Sequence, residues 1–182
     1  MIYYTWSEDG VGGPTPFLLL RKGMKEKTLD LVRDTVETLG FVLVEAFFQG
    51  GRRPSSLTVV IYRPDRGITT GDCERVSQVL AERLRVEEGF DHEYALVVES
   101  PGVDRKLKSL EEVKIFLDKP LRLVVRNFQE FGLKDSVVVA KLDGVEGDSL
   151  VFTMSGVTYR IPWDRLSQVK LYFDTEEYKK EE

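Results

Sequence analysis

Leu29, Val32, Val36 and Leu39 step by three, four and three residues with polar positions between them. That period lines one face of a helix and predicts one over 25–39, with Gly40 as the residue that ends it. Phe41-Val42-Leu43-Val44-Glu45-Ala46-Phe47-Phe48 is β-branched and aromatic, and so is Leu57-Thr58-Val59-Val60-Ile61-Tyr62. With Gly50, Gly51 and Pro54 between them, the two runs predict an antiparallel hairpin. Thr69 or Thr70 then offers an N-cap, and Cys73, Val76, Leu80 and Leu84 give a second helical stripe to about Arg85. Alternation over 94–99 predicts a third strand. Ser109-Leu110-Glu111-Glu112 is a capping box, with two reciprocal side-chain–backbone bonds, that opens a short helix to Leu117.

The texture changes at Pro120. Short strands are predicted at 121–128, 136–142, 149–154, 157–161 and 168–173, separated by Gly144, Gly147, Ser155-Gly156 and Pro162. Five short strands in so little chain suggest a small barrel, closed or nearly closed so that no edge is left open. Pro162-Trp163-Asp164-Arg165-Leu166 reads as a single 3₁₀ turn. Residues 1–23 sustain no period and read as a tail, flexible or docked. The expected organisation is therefore this tail, an α+β domain over 24–119 with two main helices and about three strands, an all-β barrel over 120–174, and a charged tail over 175–182. Lys119-Pro120 is the expected hinge.

Composition narrows the chemistry. The 182 residues carry 26 Lys+Arg against 31 Asp+Glu, a net charge of −5. That balance opposes a general nucleic-acid binder and suits a basic partner. One cysteine, Cys73, and one histidine, His92, exclude an intramolecular disulfide and cysteine- or histidine-rich metal sites, so no metal or cofactor is expected. The longest apolar runs are far short of a bilayer span, and the N-terminus lacks a positive n-region, which points to a cytoplasmic protein.

The loop 100–108 holds the most candidate chemistry. Pro101-Gly102 suits a turn, and Arg105, Lys106 and Lys108 are three cations in four residues, free to meet a carboxylate or a phosphate. The bland alternative is a strand-to-helix connection. Arg52 and Arg53 at the hairpin tip are further phosphate candidates, and Phe128 and Phe131 in a barrel loop are candidate interface anchors. Trp163 with Tyr159 and Tyr172 makes either an aromatic face for bases or a peptide, or a plug for the barrel end. Ser100, His92 and Asp104 invite a hydrolase triad, but no G-x-S-x-G surrounds Ser100. Adjacent carboxylates such as Glu111-Glu112 point different ways on a helix and read as solvated faces, and Cys73 reads as a buried small hydrophobe.

The segment Val98-Glu99-Ser100-Pro101-Gly102-Val103-Asp104-Arg105-Lys106-Leu107 resembles the S-S-P-G-[LV]-[DE]-R-P-L signature of the ribosome maturation factor RimP family. Gly67 to Ser77, with its Asp72-Cys73-Glu74 run, is similar to that family's entry into its second helix. Leu39-Gly40-Phe41 with the hairpin resembles the family's opening, and Ile161-Pro162-Trp163-Asp164-Arg165-Leu166 resembles an element near its end. Glu99 and Lys106 depart from the usual Ser and Pro. The resemblance spans about 24–173 and implies an α+β domain followed by an SH3-like (Sm-like) barrel. It also implies non-catalytic assistance in assembling the small ribosomal subunit, linked to incorporation of the ribosomal protein at the decoding centre. Such a protein is very basic, so an acidic factor complements it.

The expected function is thus a non-enzymatic, monomeric maturation factor that binds the immature small subunit. Ser100, Pro101, Gly102, Asp104, Arg105, Lys106, Lys108, Phe128, Phe131, Arg52 and Arg53 are its candidate contacts, and ribosomal RNA is touched only locally. The competing reading is an Sm-like RNA-binding module acting on single-stranded RNA outside ribosome assembly.

Overall fold

The computed structural model describes residues 26–50, 54–88 and 95–172. Helix α1 (Glu26–Thr38) leads into strands β1 (Val42–Gly50) and β2 (Pro54–Tyr62). Its apolar stripe is buried, with Leu29, Leu31, Val32 and Val36 facing inward. Gly40 ends it at φ +82°, where the Gly40 amide donates to the Glu37 carbonyl and the Phe41 amide to the Val36 carbonyl. This is the Schellman closure, and it uses the left-handed backbone that glycine adopts without strain.

Helix α2 (Thr70–Glu88) carries the chain from β2 to β3 (Ala95–Glu99), which pairs parallel to β2 as a crossover connection requires. The sheet order is β1-β2-β3. Helices α1 and α2 pack on one face of it, and Leu43, Ala46, Leu57, Val59 and Ile61 meet Val32, Val36, Val76 and Leu80 in a first core.

The other face is buried differently. Val44, Val60 and Tyr62 share a second core with Val113 and Phe116 around helix α3 (Leu110–Ile115), and with Leu121, Leu123, Phe152, Ile161 and Val169 beyond Pro120. Pro120 itself opens strand β4 (Pro120–Val125). Then follow β5 (Val137–Lys141), β6 (Gly144–Glu146), β7 (Ser149–Met154), β8 (Val157–Pro162) and β9 (Leu166–Leu171). An α+β part is therefore followed by a β-rich part, as the pattern predicts.

The closed barrel is corrected. The strands form two three-stranded sheets, β5-β4-β9 and β6-β7-β8, with no hydrogen-bonded ring among the described residues. The chain changes sheet at two corners. At Leu142-Asp143 the ladder breaks, and at Pro162 the missing amide and the 3₁₀ turn Trp163–Arg165 end β8 before β9 begins. The two sheets close on each other by side-chain packing, with β5 lying against β7. The three-residue β6 is absent from the sequence-based expectation, and the first strand of this part stops at Val125, short of Phe128.

Candidate functional site

The loop between β3 and α3 contains the signature segment. Ser100, Gly102 and Asp104 are exposed and Pro101 is half-buried. Gly102 sits at φ +72° with open space where a side chain would begin, so the backbone conformation alone favours glycine there. Val103 stands 61% exposed.

Past Asp104 the loop becomes a strap onto the C-terminal sheet. The Leu107 amide donates to the Val169 carbonyl at 2.9 Å, and the Leu171 amide donates to the Arg105 carbonyl at 3.0 Å. Lys106 bridges Lys170 in antiparallel register, so this short stretch caps the outer edge of β9. Asp104 accepts from Lys170 Nζ at 2.6 and 2.8 Å, and Leu107 is buried in the second core.

Arg105 is turned inward, which corrects the expectation of a free cation. Its Nε donates to Glu112 at 2.6 Å and its terminal nitrogen to Glu45 at 2.7 Å. Side-chain exposure is 13% for Arg105 and 5% for each glutamate. Burial works against the guanidinium charge, but the hydrogen bonds to Glu45 and Glu112 outweigh it and hold its pKa above the ordinary value. Lys108 Nζ lies 3.9 Å from the Glu45 carboxylate while its side chain stays 45% exposed. Lys106 is exposed, and no carboxylate among the described residues pairs with it.

Two local features place the carboxylates. In β1 the pairing with β2 shifts between Leu43↔Ile61 and Glu45↔Val60. This bulge makes Val44 the extra residue, and Glu45 then lies on the same face as Val44, toward the strap. Glu112 is the capping-box acid of α3. The Ser109 hydroxyl accepts from the Glu112 amide at 3.1 Å, but the Glu112 carboxylate accepts from the Lys108 amide at 2.8 Å, one residue ahead of the expected partner. The reading of Glu111-Glu112 as a solvated pair fails at Glu112, whose other oxygen takes Arg105. Glu45 and Glu112 are the residues that sequence reasoning missed. The capping box marked Glu112, whereas nothing local marked Glu45.

Tyr62 adds a second tie across the same junction. Its hydroxyl donates to Asp118 at 2.7 to 2.8 Å and its ring lies 4.7 Å from that of Phe116. Burial, then the Asp118 carboxylate, pushes its pKa well above the usual tyrosine value.

The remaining candidates are dispersed. Phe128 and Phe131 lie in a 3₁₀ turn, both half-buried against the second core. Trp163 packs half-exposed on the same core, and Tyr159 stacks on Phe152 at 5.4 Å. Arg52, Arg53 and His92 fall outside the described residues. Cys73 is half-buried beside the first core, and its thiol is pushed up chiefly by burial. Among the described residues, no group of three His, Cys, Asp or Glu side chains is arranged to hold a metal ion, and no helix is long and apolar enough to cross a membrane.

The loop between β3 and α3 thus straps the α+β part onto the β-rich part, and the best-built polar cluster is internal, beneath that strap. A family model described as the RimP N-terminal domain matches residues 31–104, from within α1 to Asp104 of the strap. That stretch is thus similar to the N-terminal domain of the RimP family, the same family that the sequence motifs resemble.

Proposed function

We propose that this protein is a non-enzymatic ribosome maturation factor of the small subunit, working in the cytoplasm. The match over residues 31–104 carries this reading. The motif order that continues to Ile161-Pro162-Trp163-Asp164-Arg165-Leu166 supports it over the rest of the chain. In this reading the protein binds the immature particle and favours the conformation that accepts a basic ribosomal protein of the decoding centre. It must bind the immature state more tightly than the mature one, because equal affinity for both would shift nothing. The net charge of −5 suits encounter with a basic protein. Within the loop 100–108, Lys106 and Lys108 are the cations that remain available for contact, along with exposed Val103, while Arg105 holds the loop in shape.

The test is sedimentation of cell extract in a density gradient. The protein should travel with free small subunits and be absent from joined ribosomes. Finding it only at the top of the gradient, at low salt and in growing cells, would overturn the reading.

A further inference from the structure

The outer face of the sheet β5-β4-β9 carries a row of cations that the loop 100–108 completes. Val139 on β5 lies opposite Arg122 on β4, Arg122 lies opposite Lys170 on β9, and Lys170 lies opposite Lys106 of the strap. Leu121, Leu123, Val138, Val169, Leu171 and Leu107 alternate with these residues and are buried, so the row lies on the opposite, outward face. Lys141 extends the same face two residues beyond Val139, and it is exposed. With strands about 4.8 Å apart, Lys106 to Arg122 spans about 10 Å.

The face has no covering layer among the described residues at its β5 end, where Val137 and Val139 are 40% and 43% exposed. Its charge is not evenly available. Lys170 is held by Asp104, whereas Arg122 makes one long bond, 3.4 Å, to Gln168. No carboxylate among the described residues forms an ion pair with Lys106, Arg122 or Lys141. The chain is acidic as a whole, yet charges farther than about 8–10 Å are largely screened at physiological salt, so this local excess decides what the face attracts.

We infer that this face contacts the phosphodiester backbone of RNA, through Lys106, Arg122 and Lys141. The inference deepens the proposed function and rests on it, since the RNA would be that of the immature small subunit. Lysines predominate here, and lysine is depleted from protein–protein interface cores but common in phosphate contacts. The cations outnumber the aromatics on this face, where Tyr172 lies two residues beyond Lys170 of β9, so the contact is carried by the phosphate backbone. The Lys170–Asp104 pair sits in the middle of the row and limits its charge.

The experiment measures binding of a fluorescently labelled 16-nucleotide oligouridine by anisotropy across a salt series, with a 16-residue polyglutamate as competitor. Wild-type protein should bind the RNA with an affinity that falls with salt. K106Q/R122Q/K141Q should weaken it and make the log–log salt slope shallower by about 2, at about 0.7 per phosphate contact on a single strand. D104N, which removes the exposed negative charge held against Lys170, should strengthen binding several-fold, an outcome that misfolding would not produce. The inference is overturned if wild-type protein fails to bind the RNA at low salt, if the triple variant binds unchanged, or if polyglutamate is bound in preference. Sedimentation of the same proteins separates the two ideas. Wild-type protein that misses the small subunit defeats the proposed function, whereas a triple variant that still sediments fully with it defeats only this face.

Discussion

Arg105 and Glu45 are 60 residues apart in the chain and 2.7 Å apart in space. The contact exists because a bulge in β1 aims Glu45 away from the helices and because the strap carries Arg105 back beneath it. Glu112 closes the cluster from the first turn of α3. The signature loop is therefore a structural junction first, and its backbone is held where Asp104, Lys106 and Lys108 reach the surface.

Removing Arg105 should be costly. R105A leaves two buried carboxylates facing each other, and loss of one partner from a buried ionic cluster typically costs about 3–5 kcal/mol. R105K should recover only part, since an ammonium cannot match the two-pronged geometry of the guanidinium. Urea unfolding of each variant measures this. In R105M/E45M/E112M, where no buried charge remains, stability should return toward wild type.

D104N should behave differently. Its ion pair joins a 74% exposed aspartate to a lysine whose side chain is 17% exposed, and an asparagine keeps an oxygen that can accept from Lys170 Nζ. Chemical denaturation should show a small loss, well below that of R105A.

Tyr62 predicts an alkaline limb. Its folded pKa lies above the unfolded value of 10.0. A group of that kind contributes stability that is complete below about pH 10 and is lost as pH rises toward the folded value. The stability difference between wild type and Y62F should therefore be constant at neutral pH and shrink above about pH 10, measured by denaturation at a series of pH values.

Asp72 predicts an acid limb. The hydrogen bonds from Arg66, then those from Thr69, hold its carboxyl well below the usual range. Its contribution is present above the unfolded value of 3.8 and is lost as pH falls through the folded one. The protection of the amides at the start of α2, taken relative to the intrinsic exchange rate at each pH, should fall below about pH 4 in wild type. In D72N it should be lower already at neutral pH.

Much of the fold is legible in the chain because its signals are local. The three- and four-residue steps of Leu29, Val32 and Val36 mark α1, Gly40 marks its stop, and Ser109 announces α3. The parts that are not legible depend on distant partners. The place of Glu45 depends on a pairing shift between two strands, and the inward turn of Arg105 depends on that place. A cation in a loop looks free in sequence, because its neutralising carboxylates come from β1 and from a capping residue whose sequence role is already explained. The open pairing of the C-terminal sheets is hidden for a similar reason. Strand number suggests a barrel, but whether the ladder closes depends on corners such as Leu142-Asp143 and Pro162.

Reconstitution of the small subunit shows whether the protein assists maturation. Immature small subunits lacking the basic decoding-centre protein are mixed with that protein, with and without the purified factor, and its incorporation rate is followed. Faster incorporation with the wild-type factor is predicted, together with release of the factor from the completed particle. An incorporation rate unchanged by the factor, at concentrations that saturate its binding to the immature particle, would contradict assistance in maturation.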